Sequence, residues 1–208
     1  MQLASKLYER QAIAEKTTNF PTTLPNLQSD LAIQTMKDPY LFISLKKHSN
    51  EVQIENAMIN KIKDVLIELG NGFAFVGNQY KITVSDTDYF IDLLFYHLEL
   101  RCYIVVELKA RKFKPTDAGQ INFYLSTVDD TLRKEGDNPT IGILLCKEKD
   151  KLTAEYALRN VNNPIGVSEY KLLEDIPEYL QKQLPKAEDI ELHIKSIEKI
   201  EEQEENEE

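Results

Sequence analysis

The stretch Val105–Lys114, VVELKARKFK, passes from an apolar run directly into charge. Residues 103–108 are rich in β-branched and aromatic side chains and read as a buried strand. Residues two apart on a strand share a face, so Glu107 and Lys109 point one way and Leu108 the other. A lone buried carboxylate is costly, so Glu107 needs a partner or a cation. The preceding strand offers Asp92, which interrupts the otherwise apolar YFIDLLFYH of residues 89–97. Two strands joined by a tight turn at 99–101 can bring Asp92 opposite Glu107. Two carboxylates at one point of a sheet repel unless a cation sits between them. Hard oxygen donors suit Mg²⁺, which keeps several waters and takes one or two carboxylates. Lys109 beside it can position or deprotonate a water and steady developing phosphate charge.

The E-x-K triplet alone decides little, because the chain has a second one, Glu169-Tyr170-Lys171. Fifteen residues before Glu169, the spacing from Asp92 to Glu107, stands Ala154. A cross-strand ion pair at a sheet edge is the simpler reading of any one triplet, since structural ion pairs are common. The surroundings must carry the rest.

The apolar positions Val52, Ala57, Ile59, Ile62, Leu66 and Leu69 approximate one helical face over 51–69, stopped by Gly70-Asn71-Gly72. Strands follow at 73–76 with 79–84, parted by Gly77-Asn78, then at 89–98 and 103–108. Pro115 fits the first turn of a helix to about Leu132, with Ile121, Tyr124, Leu125, Val128 and Leu132 as its apolar stripe. Strand 140–146, a short helix over 152–160 and a last strand at 164–167 complete the reading. This α-β-β-β-α-β order predicts an α/β fold with a mixed sheet flanked by helices.

Residues 1–50, punctuated by Pro21, Pro25 and Pro39, read as an arm rather than a core. Residues 187–208 hold ten acidic residues against two lysines, eight of the chain's ten net negative charges. Such a block is expected to stay solvated and disordered. The body is therefore close to neutral, and residues 101–114 carry five basic residues against the single acid Glu107. Cys102 and Cys146 lie in apolar β-type runs without a CxxC or Cys/His spacing and read as buried thiols. His48, His97 and His193 have no metal-ligand spacing. No apolar run approaches the ~18 uncharged residues of a membrane span, and MQLASKLYER lacks a secretory core, so a cytoplasmic, non-membrane protein is expected.

Gln120 opens the helical run GQINFYLS, and Tyr124, four residues on, shares its face. A strand Asp, a strand E-x-K and a helix Gln-x-x-x-Tyr in this element order resemble the PD-(D/E)XK nuclease superfamily. GFAFVGNQY, FIDLLFYHLELRC, VVELKARKFKPTDAGQINFYL, DNPTIGILLC and AEYALRNVNNPIGVSEY are similar to the C-terminal nuclease domain of the bacterial YhcG-like family, over about residues 51–175. The resemblance implies a restriction-endonuclease-like αβββαβ core and a metal-dependent deoxyribonuclease. It implies that Asp92, Glu107 and the Leu108 carbonyl bind Mg²⁺ or Mn²⁺, that Lys109 is the catalytic lysine and that Gln120 supports the site. Glu55 matches the acidic residue that many such nucleases place near the metal; a solvent-facing helix carboxylate is the alternative. Ile91 replaces the proline of the PD signature, which is not a ligand.

Lys109, Arg111, Lys112, Lys114 and Tyr124 are the candidate DNA contacts, because basic clusters supply sequence-independent affinity for phosphate. Residues 1–50 resemble the end of the family's helical N-terminal domain, so the chain reads as a shortened form; the missing part is the expected route to other DNA-processing proteins. Residues 176–208 read as a helical extension and the acidic tail. Two further functions share these residues: a catalytically silent DNA- or protein-binding module, and a branched-DNA resolvase acting as a homodimer with two sites.

Overall fold

Turn residues at 85–86 and 98–101 divide residues 73–112 into three long strands. The computed structural model describes residues 17–36, 40–41, 51–60 and 72–172. Along them run β1 (Thr17–Thr18), α1 (Phe20–Thr23), α2 (Asn26–Thr35), β2 (Tyr40–Leu41) and α3 (Glu51–Asn60). Then come β3 (Phe73–Val84), β4 (Thr87–His97), β5 (Cys102–Lys112), α4 (Pro115–Thr131), β6 (Ile141–Glu148), α5 (Lys151–Leu158), β7 (Ile165–Glu169) and β8 (Lys171–Leu172). The expected αβββαβ order is present from α3 to β6. The main sheet has six strands in the order β1-β7-β6-β5-β4-β3, and β2 pairs with β8 in a separate parallel pair.

β3, β4 and β5 pair antiparallel through short turns, whereas β5, β6 and β7 pair in parallel through α4 and α5, making the sheet mixed. His97 closes the β4–β5 turn: its Nδ1 accepts the Leu100 amide at 3.1 Å. α4 begins at Pro115, and Asp117 in its first turn accepts the Lys114 amide at 2.9 Å. α5 is capped by Asp150, whose carboxylate accepts the Thr153 amide at 2.8 Å.

Each sheet face carries its own apolar layer. On one face Leu93, Phe95, Val106, Leu108 and Ile143 pack with Phe20, Met36 and Ile54. On the other, Leu94, Val105 and Leu144 pack with Ile121, Tyr124 and Leu125 of α4. A Cβ at Gly142 would meet the Ile121 side chain at 2.9 Å, so glycine there lets the Ile121 and Leu125 side chains of α4 pack close on β6.

Three readings change. Gly77-Asn78 does not separate two strands; β3 runs through it and absorbs one extra residue as a bulge between Phe75 and Gly77. Residues 17–36, read as an arm, add an edge strand to the sheet and bury Phe20, Leu24, Ala32 and Met36. Asn19 fixes this segment, since its amide donates to the Val161 and Asn163 carbonyls at 3.0 Å and its oxygen accepts the Ile165 amide at 2.8 Å. Helix 51–69 is described only to Asn60, and its remainder and residues 173–208 lie outside the described residues.

Candidate active site

The site lies at a fork in the sheet. β4 and β5 pair from His97↔Cys102 up to Leu93↔Val106. Beyond that pair β4 continues along β3, and β5 continues along β6. The next two residues in register are Asp92 and Glu107, and their side chains take over where the ladder ends. Asp92 Oδ2 accepts the Leu108 amide at 2.8 Å, and Glu107 Oε1 accepts the Asp92 amide at 3.3 Å. Each carboxylate thus satisfies a backbone donor of the other's strand.

Glu107 is 1% exposed and Lys109 6%. The two buried groups meet, with Lys109 Nζ donating to Glu107 Oε2 at 3.4 Å. The same oxygen accepts Gln120 Nε2 at 3.3 Å. Gln120 also donates to the Tyr124 hydroxyl at 3.2 Å, one helical turn along α4. Both N–H bonds of that amide are therefore used, which fixes its direction. Burial, then the negative charge of Asp92, pushes the Glu107 carboxyl up to about 8, with Lys109 pulling the other way.

Among the described residues no three or more His, Cys, Asp or Glu side chains cluster to share an ion. The donor set nevertheless fits a hard divalent cation: two carboxyl groups at one fork are the protein ligands that Mg²⁺ takes while keeping its waters. Leu108 enters the site through its backbone, its side chain being buried in the opposite layer. Glu55 lies on α3, whose Ile54 packs in that same opposite layer; the Glu55 side chain is outside what the structure describes.

The basic run divides by partner. Arg111 forks onto Asp117, with Nη1–Oδ2 2.9 Å and Nη2–Oδ1 2.7 Å, and so ties β5 to the first turn of α4. Burial acts to raise Asp117, but the Arg111 hydrogen bonds and the Lys114 amide outweigh it and hold the carboxyl below its ordinary range. Lys112 is exposed and pairs with Glu148 at 3.0 Å, and Lys114 is exposed. Tyr124 is buried beneath Gln120. In the second E-x-K, Glu169 accepts the Lys149 amide at 2.8 Å and serves the fold.

Two residues escaped the sequence reading. Asp117 is one, its role depending on where α4 sits. The other is Gln79 on β3, which donates to Asp92 Oδ1 at 3.2 Å; beside Gly77-Asn78 it looks like the exit of a turn.

The sequence profile of the YhcG PDDEXK nuclease domain matches residues 33–185. The chain is 38% identical over 174 residues to "Putative nuclease YhcG" of Escherichia coli (strain K12), covering 82% of this chain and 46% of that relative. The chain thus spans about half the length of that curated relative. Among solved structures it is similar to a repair endonuclease from Pyrococcus abyssi, with TM-score 0.41, 16% identity, and 62% of this chain and 49% of that one covered. It is also similar to EndoMS in a complex named for dsDNA, with TM-score 0.42, 17% identity, and 66% and 49% covered.

Proposed function

The chain belongs to the YhcG PDDEXK nuclease family, and on that premise we propose that it is a Mg²⁺- or Mn²⁺-dependent endonuclease that hydrolyses DNA phosphodiester bonds at Asp92, Glu107 and Lys109. The observation that carries the reading is the fork, where two carboxylates cross-brace their strands and a buried lysine contacts one of them. The two carboxylates satisfy backbone amides where the ladder ends, but that duty alone does not call for a buried lysine beside them, since uncharged acceptors could serve it at lower cost.

Asp92 and Glu107, with the Leu108 carbonyl, would hold the cation. When bound, the cation supplies Lewis-acid polarisation of a phosphate oxygen and lowers the pKa of a bound water. Gln120 keeps Glu107 Oε2 in place, so the carboxylate does not reorient when substrate arrives. The Lys109 ammonium orients the attacking water and offsets the charge that grows on the phosphoryl oxygens. Water forms the new P–O bond and releases a proton to solvent as the bond to the leaving strand's oxygen breaks, and that oxygen takes a proton from solvent. The exposed Lys112 and Lys114 lie a few residues along the same segment and suit the phosphate backbone, whatever the base sequence. Arg111 is committed to Asp117 and serves by holding α4, and thus Gln120, against β5.

The test is cleavage of supercoiled plasmid and branched DNA in Mg²⁺ or Mn²⁺. Wild-type protein is expected to nick or cut, and Asp92→Ala and Lys109→Ala to be inactive while remaining folded. Equal activity in all three proteins would sink the proposal.

A further inference from the structure

Gln79 stands in the middle of β3 with φ +42°, the left-handed region that residues with side chains rarely adopt. Such strain persists only where the surroundings hold it, and it gathers at functional sites. Gly77 and Asn78, the two preceding residues, would both accept that conformation more readily, yet Gln79 takes it.

Register explains what the conformation achieves. β3 and β4 pair at Asn78↔Leu93 and again at Tyr80↔Ile91, leaving Gln79 directly across from Asp92. The bulge between Phe75 and Gly77 lies just upstream, and bulges serve to re-aim side chains. Gln79 is exposed, so no packing demand accounts for its placement. Its Nε2 donates to Asp92 Oδ1 at 3.2 Å while Oδ2 accepts the Leu108 amide at 2.8 Å. Both Asp92 oxygens are thereby oriented from opposite sides, one from β3 and one from β5.

We infer that Gln79 is a positioning residue for Asp92, its strained backbone aiming the side-chain amide so that the carboxylate is held in the direction in which it binds a divalent cation. The inference rests on the metal-dependent reading of the fork. Groups that hydrogen-bond a ligating side chain are typically worth about 10–100-fold in metal affinity or activity. Gln79 also extends the site to the edge strand, so that groups from β3, β4, β5 and α4 all orient the carboxylates.

The decisive variant is Gln79→Gly, because glycine adopts φ +42° without strain while the side chain, its amide included, is removed. In the full chain, Mn²⁺ titration by calorimetry, Tm without metal, and kcat and KM on DNA are measured side by side. The expected result is Mn²⁺ affinity about tenfold weaker and a lower kcat, with Tm equal to or above that of wild type and KM unchanged. If Gln79→Gly binds Mn²⁺ as wild type does, the inference is overturned while the metal reading stands. A Tm that falls together with the affinity also overturns it, since Gln79 would then be a structural residue. Wild-type protein that binds no Mn²⁺ overturns the metal reading itself and the inference with it.

Discussion

Asp92 and Glu107 are cross-braced: each carboxylate accepts a backbone amide on the opposite strand, Asp92 Oδ2 from Leu108 at 2.8 Å and Glu107 Oε1 from Asp92 at 3.3 Å. This brace replaces the β-ladder where β4 and β5 part, and it gives the pair a structural duty alongside its chemical one.

The two duties separate by substitution. Asp92→Asn keeps an oxygen that can accept the Leu108 amide but loses the negative charge. Tm is expected to stay near wild type while DNA cleavage falls on the order of a hundredfold or more. Thermal unfolding and a plasmid-nicking assay on one preparation check this; a large drop in Tm with retained cleavage would contradict it.

Lys109 is buried against Glu107 and competes with any cation for its charge. Lys109→Met removes the ammonium and keeps most of the apolar stem. Cleavage is expected to be lost while Mn²⁺ binds at least as tightly as in wild type, because a repelling charge has gone. Weaker Mn²⁺ binding in this variant would argue that Lys109 holds the site together rather than acting on the reaction.

The raised carboxyl of Glu107 predicts an unusual pH profile for the metal-free protein. Its folded value of about 8 lies above the ordinary 4.5, so the folded state keeps a proton that the unfolded chain releases. That stabilising contribution is complete below pH about 4.5 and is lost as pH rises through about 8. Tm should therefore contain a component that falls across this window, and Glu107→Gln should remove it. An identical Tm–pH curve in the variant would contradict the assignment.

Arg111 and Lys114 should separate structure from DNA contact. Arg111→Ala breaks a forked pair whose acid, Asp117, is 3% exposed, and should cost roughly 1–2 kcal/mol of stability, allowing for the solvent exposure of the guanidinium. Lys114→Ala should leave Tm within experimental scatter and reduce the slope of log K for DNA against log salt by about 1. Fluorescence anisotropy over a salt series, with melting curves, distinguishes the two.

The site was open to sequence reading where local rules suffice. Glu107 and Lys109 share a face by strand period, and a tight turn returns the chain so that Asp92 meets them. Gln120 and Tyr124 follow from helical spacing. The rest depends on contacts that no local signal encodes. Gln79 takes part only because a bulge and a left-handed residue turn it toward Asp92, and Gly77-Asn78 argued locally for a turn. Residues 17–36 carry the prolines of a loop, yet Asn19 ties them to β7 more than a hundred residues away, bringing Phe20 and Met36 into the core. Arg111 reads as a DNA contact, and its fork onto Asp117 carries no local signal. Glu55 enters only through family resemblance, and its side chain lies outside the described residues.

A crystal structure of the full chain soaked in Mn²⁺, with anomalous scattering to locate the ion, decides whether the fork is a metal site. One ion is expected at the fork, ligated by a carboxylate oxygen from each of Asp92 and Glu107 and by the Leu108 carbonyl, with Lys109 displaced from Glu107 Oε2. An anomalous peak elsewhere, or none at saturating Mn²⁺ with the Lys109–Glu107 contact intact, would contradict it.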